Sequence, residues 1–401
     1  MARNRNIEIP ERLNKIIEYE LFETASYEEQ GVRYILKNCI NNKYLTLTEI
    51  QYEVWENIDG AKYLKDIIYD IYNKFNILCV EYIESFIKQL CINGFIVNYN
   101  KKDSKEHKNI LSIRFPIKKV NLYLEKAYQY AGKYFYHKSM LAAMVMVTIY
   151  GSLSFYFICK NPPYSDKNNL ILIIILLIIS LILHEGAHGT TCIHFGRKVN
   201  EAGFMIYMFI PVFYVDTTDI WMAQKKERIL VSIAGPLIDL FFASLLAVFM
   251  PFIQKPVLYN SFYYIATLIY LRVLLNMNPL FKWDGYYFLM DIMGEYNLKR
   301  KSVLILKKKI IEKIKKKDKI TIKEFLMAIY AITSTAYTLF FFIFLIRSSL
   351  NFFDSFTFWG LVKFLILLII LIPYFIVVIK KVIAKIKTMK LKSLKRESSK
   401  C

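Results

Sequence analysis

The hydrophobic pattern changes character near residue 112. Before it, apolar residues are spaced for short amphipathic elements; after it, they gather into runs long enough to cross a bilayer. Alternation in Arg33-Tyr-Ile-Leu-Lys37 and Lys43-Tyr-Leu-Thr46 around Asn41-Asn42 predicts a hairpin. A helix is predicted from Thr48, which forms a capping-box arrangement with Gln51, and Asp59-Gly60 breaks it. Amphipathic stretches at residues 63–75 and 80–93 predict two more helices, and residues 94–98 a strand that would close a winged-helix-like unit within residues 1–112. A charged, aromatic-rich connector at 113–139 is expected at the membrane surface. Apolar runs at residues 140–158, 170–188, 229–252, 262–281, 325–346 and 358–379 predict six transmembrane helices. The fold class expected is therefore a mainly α polytopic membrane protein with a small N-terminal α+β domain. Its membrane core is expected at 140–298, a basic segment at 299–324, two C-terminal transmembrane helices within 325–379 and a basic tail at 380–401.

Composition supports that reading and adds a direction. The 401 residues are 55% hydrophobic and carry a formal net charge of +21. The lysines cluster beside the apolar runs, as the positive-inside rule and anionic lipid head groups would produce, so no nucleic-acid partner is expected. The loops assigned outside carry few basic residues, while Arg197-Lys198, Lys225-Lys226, the 299–323 block and the tail are strongly basic, which predicts six spans with both termini cytoplasmic. Six cysteines without a CxxC pair read as free thiols. The first residues lack the apolar region of a secretory signal peptide, so the first spanning helix is expected to direct insertion.

The run that starts at Leu170 ends in His184-Glu185-Gly186-Ala187-His188. Polar groups there are costly in a bilayer, and on a helix positions i and i+4 share a face, so His184 and His188 can present nitrogens to one ion. Two neutral imidazoles and a glutamate acting as general base make the pattern of a zinc hydrolase. The bland alternative is a pair of helix-end histidines bonded to carbonyls. A catalytic zinc needs a third protein ligand, and two candidates compete. His194 gives the spacing of the metzincins, but Thr191 stands where their helix breaks at glycine. Asp284 follows Pro279 and precedes Gly285 in an apolar segment whose irregular backbone must line protein or a cavity. A further charge, Asp239, falls about 16 Å inside the third span, at the depth expected for Arg272 in the fourth. The two are expected to pair, the alternative being that Asp239 faces the metal cavity and handles substrate.

His184-Glu-Gly-Ala-His188, then Gly196, Ala234-Gly-Pro236 and Asn276-x-x-Pro279 with Asp284-Gly285 resemble the site-2 protease family of intramembrane zinc metalloproteases. Within it, the Asn278-Pro-Leu-x-x-x-Asp-Gly-Tyr-Tyr287 form most resembles the peptide zinc metalloproteases found with bacteriocin and modified-peptide clusters. The resemblance implies Zn2+, with His184, His188 and Asp284 as ligands and Glu185 as base. It also implies that residues 203–218 form a membrane-dipping hairpin that pairs with an extended substrate. Pro211 and Tyr214 of that segment, with Asp239 and Asn276, are then candidate substrate-binding residues. The family commonly has asparagine where this chain has Asp239.

Residues 47–60, with Leu47-Thr48, Val54-Trp55 and Ile58-Asp59-Gly60, resemble PqqD-like peptide-recognition domains. That resemblance implies capture of the leader of a ribosomally made peptide, with a peptide exporter or modifying enzyme as further partner. The function expected is maturation of such a precursor in a bacterial cell membrane. Alternatives are a site-2 protease acting on an anti-sigma factor, signal-peptide remnant or pheromone precursor, and a non-catalytic membrane subunit for peptide export or immunity.

Overall fold

The computed structural model describes residues 9–24, 33–76, 80–98, 112–160, 167–207, 210–310 and 320–353. The predicted span at 358–379 and the tail lie outside them.

The N-terminal unit is an antiparallel sheet in the order β1 (Tyr19–Thr24), β2 (Arg33–Asn38), β3 (Lys43–Leu47), followed by α1 (Glu49–Glu56), α2 (Leu64–Phe75) and α3 (Val80–Ile92). The predicted hairpin is present, closed by Asn42 in the left-handed region at φ 52°. Thr48 caps α1, its side chain accepting from the Gln51 N–H while the Gln51 side chain accepts from Thr48 N–H. Strand alternation sends Leu36, Leu45 and Leu47 into a core with Trp55, Ile71 and Phe95. The opposite face, with Glu20, Lys37 and Tyr44, turns toward the rest of the chain. Two expectations are corrected here. The strand predicted at residues 94–98 reduces to an isolated bridge between Ile96 and Lys15, because Gly94 turns the chain at φ +77°, the Phe95 N–H is spent on the Leu90 carbonyl, and only the Phe95 carbonyl and the Val97 N–H bond to the Asn14–Ile16 backbone. β1 was not predicted, although Tyr19-Glu-Leu and its sequel alternate.

Within the connector region, β4 (Ser112–Pro116) joins β5 (Glu201–Tyr207) and β6 (Ile210–Asp216) in a second antiparallel sheet, with β5 in the middle. Gly203 permits this, since a Cβ there would sit 2.3 Å from the Phe115 carbonyl oxygen. α4 (Val120–Ala127) then continues through a π-helical turn (Tyr128–Gly132) into α5 (Lys133–Phe135), and α4 packs on the long helix that begins at Leu170.

Among the described residues, five helices are long and apolar enough to cross a membrane: α6 (Lys138–Lys160), α7 (Leu170–His194), α8 (Lys225–Phe249, extended to Phe252), α9 (Pro256–Asn276) and the Ile322–Phe341 part of α12 (Ile322–Phe353). The chain is a multi-pass membrane protein. α10 (Asp284–Met293) and α11 (Leu298–Leu304) lie between the last two. α8 is central, packing on α6, α7, α9 and α10. Its contact with α6 is close enough that a Cβ on Gly151 would lie 2.2 Å from the Ser244 carbonyl oxygen. Ser152, Ser244 and Tyr270 bond to one another there, so polar groups in an apolar interior satisfy themselves.

Candidate metal centre

α7 runs six residues past the predicted end at His188. Thr190 and Thr191 hydroxyls donate back to the Gly186 and Ala187 carbonyls, a back-bonding that a helix accommodates. His184 and His188 project from one face of α7 onto α8, where Gly235 lies directly beneath them. A Cβ on Gly235 would fall 2.3 Å from His188 Nε2 and 2.6 Å from His184 Cε1, so only glycine leaves room for both rings.

Both imidazoles are held from behind. His188 Nδ1 lies 2.7 Å from the Val231 carbonyl oxygen, and His184 Nδ1 lies 2.8 Å from Asp239 Oδ2. A carbonyl and a carboxylate can only accept, so each Nδ1 carries a hydrogen, and in the neutral ring that a metal ligand requires each Nε2 presents a lone pair. The two Nε2 atoms stand 3.3 Å apart, and Asp284 Oδ2 lies 3.2 Å from one and 3.6 Å from the other.

Asp284 reaches them because α9 ends at Asn276 and the chain turns through Pro279 before α10 begins at Asp284 itself. Asn278 Oδ1 accepts from the Leu280 N–H, and Tyr330 and Tyr337 of α12 bond to the Pro279 carbonyl and the Asn278 amide. Gly285 lets α10 start against the Met277 backbone, where a Cβ would sit 2.3 Å from the carbonyl oxygen. Arg228 of α8 then pins α10 through a buried ion pair with Asp291 at 2.8 Å. Asp291 stands seven residues after Asp284, on the same helical face.

Three acceptor atoms thus converge with no hydrogen between them, which repels unless a cation lies among them. Their separations match the edge of a tetrahedron of ligands about 2.0–2.2 Å from zinc, about 3.3–3.6 Å. Among the described residues, His184, His188 and Asp284 are the group of side chains able to hold a metal.

The sequence matches Peptidase family M50 over residues 172–377, just over half of the chain. The chain belongs to this family. Over 126 residues it is 27% identical to "Putative peptide zinc metalloprotease protein YydH" of Bacillus subtilis (strain 168), an alignment covering 31% of this chain and 48% of that protein. The chain thus spans about half the length of the curated relative it matches. No solved structure matches it. Family membership implies zinc, and the donor set fits that ion.

For this M50 chain, the competing ligand His194 is excluded by geometry. Unbroken helix carries it six residues beyond His188, to another face, where Nδ1 bonds to Tyr128 OH at 2.8 Å and the ring stacks on Tyr136 at 4.0 Å. Glu185 lines a 290 Å³ cleft with His188, Asp284, Val215, Thr217 and Trp221. The hairpin expected at 203–218 is β5–β6, and its far strand runs along α7 with its outer edge unpaired by β5 or β4. The particular residues expected to meet substrate are placed elsewhere. Strand alternation turns Tyr214 away from Val215, so its hydroxyl bonds to Glu201 and its ring lies under Arg114. Pro211 is exposed near the hairpin tip, and Asn276 ends α9; neither lines the cleft. Asp239 is fully buried behind His184, both oxygens taken, with Arg272 Nε donating to Oδ2 at 2.9 Å and a second guanidinium nitrogen to Oδ1. It therefore makes the expected pair with Arg272, its other contact is with His184 Nδ1, and it does not line the cleft, where the alternative of handling substrate would put it. Of the supports that sequence reasoning missed, Arg228 and Asp291 carried a faint signal in the seven-residue spacing from Asp284. The Val231 carbonyl carried none.

Proposed function

We propose that the protein is an intramembrane zinc metalloprotease that cleaves a ribosomally made peptide precursor. The observation that carries this reading is the convergence of His184 Nε2, His188 Nε2 and Asp284 Oδ2 in a cleft that Glu185 also lines. When bound, the ion supplies Lewis acidity for the scissile carbonyl and for water. The chain's own residues supply the rest. Glu185 takes the proton that the attacking water loses and returns it to the leaving amine. A helical substrate shields its amides, so it must open into an extended form, and the outer edge of β6 offers main-chain groups for it to pair with. The N-terminal unit resembles a PqqD-like domain, and in this reading it holds the precursor's leader and raises the local concentration of the scissile segment. Both termini then face the cytoplasm of a bacterial cell, and a peptide exporter or modifying enzyme shares the substrate.

The test uses the full chain in lipid nanodiscs with zinc, a candidate precursor and an anti-sigma-type substrate. Cleavage of the precursor, falling by about 10²–10⁴-fold in Glu185→Gln with zinc retained, supports the proposal. A precursor bound but left whole by the wild-type protein favours a carrier. Cleavage of the second substrate alone favours a signalling protease.

A further inference from the structure

We infer that the Asp239–Arg272 pair is a positioning device for the metal centre, selecting and orienting the His184 tautomer that presents Nε2 to the ion. This rests on the metal reading above.

The two histidines are supported unequally. His188 leans on a main-chain carbonyl of α8, which no side-chain change can remove. His184 leans on a side chain, Asp239, whose own position depends on a third helix, because Arg272 of α9 holds both carboxylate oxygens. The ionised carboxylate can only accept, so the His184 Nδ1 must donate and its ring cannot flip to the other tautomer without losing this bond. Arg272 has a matching role. A lone carboxylate at 0% exposure within a membrane-spanning helix would be costly, and the guanidinium on the neighbouring span pairs with both its oxygens and fixes its direction. The stripe that results on α8, Arg228, Val231, Gly235 and Asp239, repeats every three or four residues. Arg228 anchors the helix that carries Asp284, Val231 anchors His188, Gly235 admits both rings and Asp239 anchors His184.

The pair is also matched as a unit. An asparagine at 239 would still offer an oxygen to His184, but its amide hydrogens would face the Arg272 guanidinium, donor against donor. Asp239 and Arg272 therefore exchange for neutral residues together or not at all.

The experiment compares wild type, D239N, D239N/R272L, D239A/R272L and D239L/R272L in nanodiscs. Zinc affinity is read by chelator competition, the ligand field by the visible spectrum of the cobalt-loaded protein, and folding by thermal melting. D239N alone is expected to lower the melting temperature. D239N/R272L is expected to melt near wild type and keep a near-native cobalt spectrum. D239A/R272L, which lacks any acceptor for Nδ1, is expected to bind zinc about 10–100-fold more weakly, with an altered spectrum. Should D239A/R272L melt like wild type and bind zinc with wild-type affinity and spectrum, the pair is purely structural and the inference is overturned. Should D239A/R272L fail to fold, D239L/R272L, which fills the site without offering an acceptor, decides: an altered cobalt spectrum in the folded variant supports the device, and the wild-type spectrum with wild-type zinc affinity overturns it. Absence of zinc binding by the wild-type protein itself would instead refute the metal reading beneath it.

Discussion

Gly235 is the residue on which the metal geometry turns. Its missing Cβ is the space into which both imidazoles fit, and the atoms a methyl group would strike are the ligand nitrogens themselves. Gly186, one helix away and two residues before His188, meets nothing within 4 Å when given a Cβ. The two glycines therefore make a paired test. Gly235→Ala is expected to displace the rings and cut peptidase activity by about 100-fold or more, the scale associated with a misplacement near 1 Å. Gly186→Ala is expected to leave activity unchanged and to stabilise α7 by about 0.4–1 kcal/mol, since alanine restricts the unfolded chain and suits a helix. Activity assays beside thermal melts would check both; equal losses in the two variants would contradict the packing described.

Among the elements, α10 shows how a short helix delivers a ligand. The ten residues from Asp284 to Met293 aim the carboxylate only through contacts with other elements, Gly285 against Met277 at one end and Asp291 against Arg228 at the other. Both partners of that ion pair are buried, at 5% and 6% exposure, so removing one leaves the other charge uncompensated. Arg228→Met is expected to cost about 3–5 kcal/mol of stability and to weaken zinc retention, because α10 loses its hold on α8. Denaturation in mild detergent with parallel zinc analysis is the measurement. The double replacement Arg228→Met with Asp291→Leu is expected to recover most of the stability, since hydrophobic pairs often replace buried ion pairs without loss.

At the scale of the whole molecule, the N-terminal sheet docks on the membrane core around one buried carboxylate, with a Glu20–Arg197 pair and a bond from Asn200 to the Tyr44 hydroxyl beside it. Asp219, 1% exposed, follows the hairpin in a 3-10 turn (Thr218–Met222). It meets Lys37 at 2.7 Å and the Tyr44 hydroxyl at 2.7 Å from the N-terminal unit, and Arg197 at 2.9 Å from the core. Its neighbours Thr217, Thr218, Ile220 and Trp221 line the cleft beside Glu185, so the turn that receives the N-terminal unit is also a wall of the active cleft. Burial alone would raise the Asp219 carboxyl, but bonds from Lys37, the Lys198 N–H, Tyr44 and Arg197 outweigh it and bring it down from 3.8 to about 2. Lys37 and Tyr44 add their share of this lowering only on docking, so that share stabilises the docked form fully above the ordinary carboxyl value and is lost as pH falls from about 4 through about 2. Docking, followed by fluorescence transfer between the two units, is expected to hold at neutral pH and weaken across that window. Asp219→Asn is expected to weaken it at neutral pH and to flatten the acid response. An unchanged acid response in that variant would assign the effect to other carboxyls.

The sequence by itself determined the elements with short-range periodicity. The hairpin at Asn41-Asn42, the cap at Thr48, the long apolar helix and the two histidines on one face are all set by spacings of two to four residues, which local backbone geometry enforces. Glycine and proline also announced where the chain must turn at Pro279 and Gly285. Tertiary structure decided between Asp284 and His194 as the third ligand, a choice the family resemblance implied but residue spacing left open, because the two are separated by where α7 ends and where α10 is pinned. It decided that Val215, and not Tyr214, faces Glu185, since alternation names two faces but packing against α7 chooses between them. It decided, too, that Asp239 stands behind a ligand instead of before a substrate. Those are contacts between helices dozens of residues apart, and no pattern along a single helix carries them.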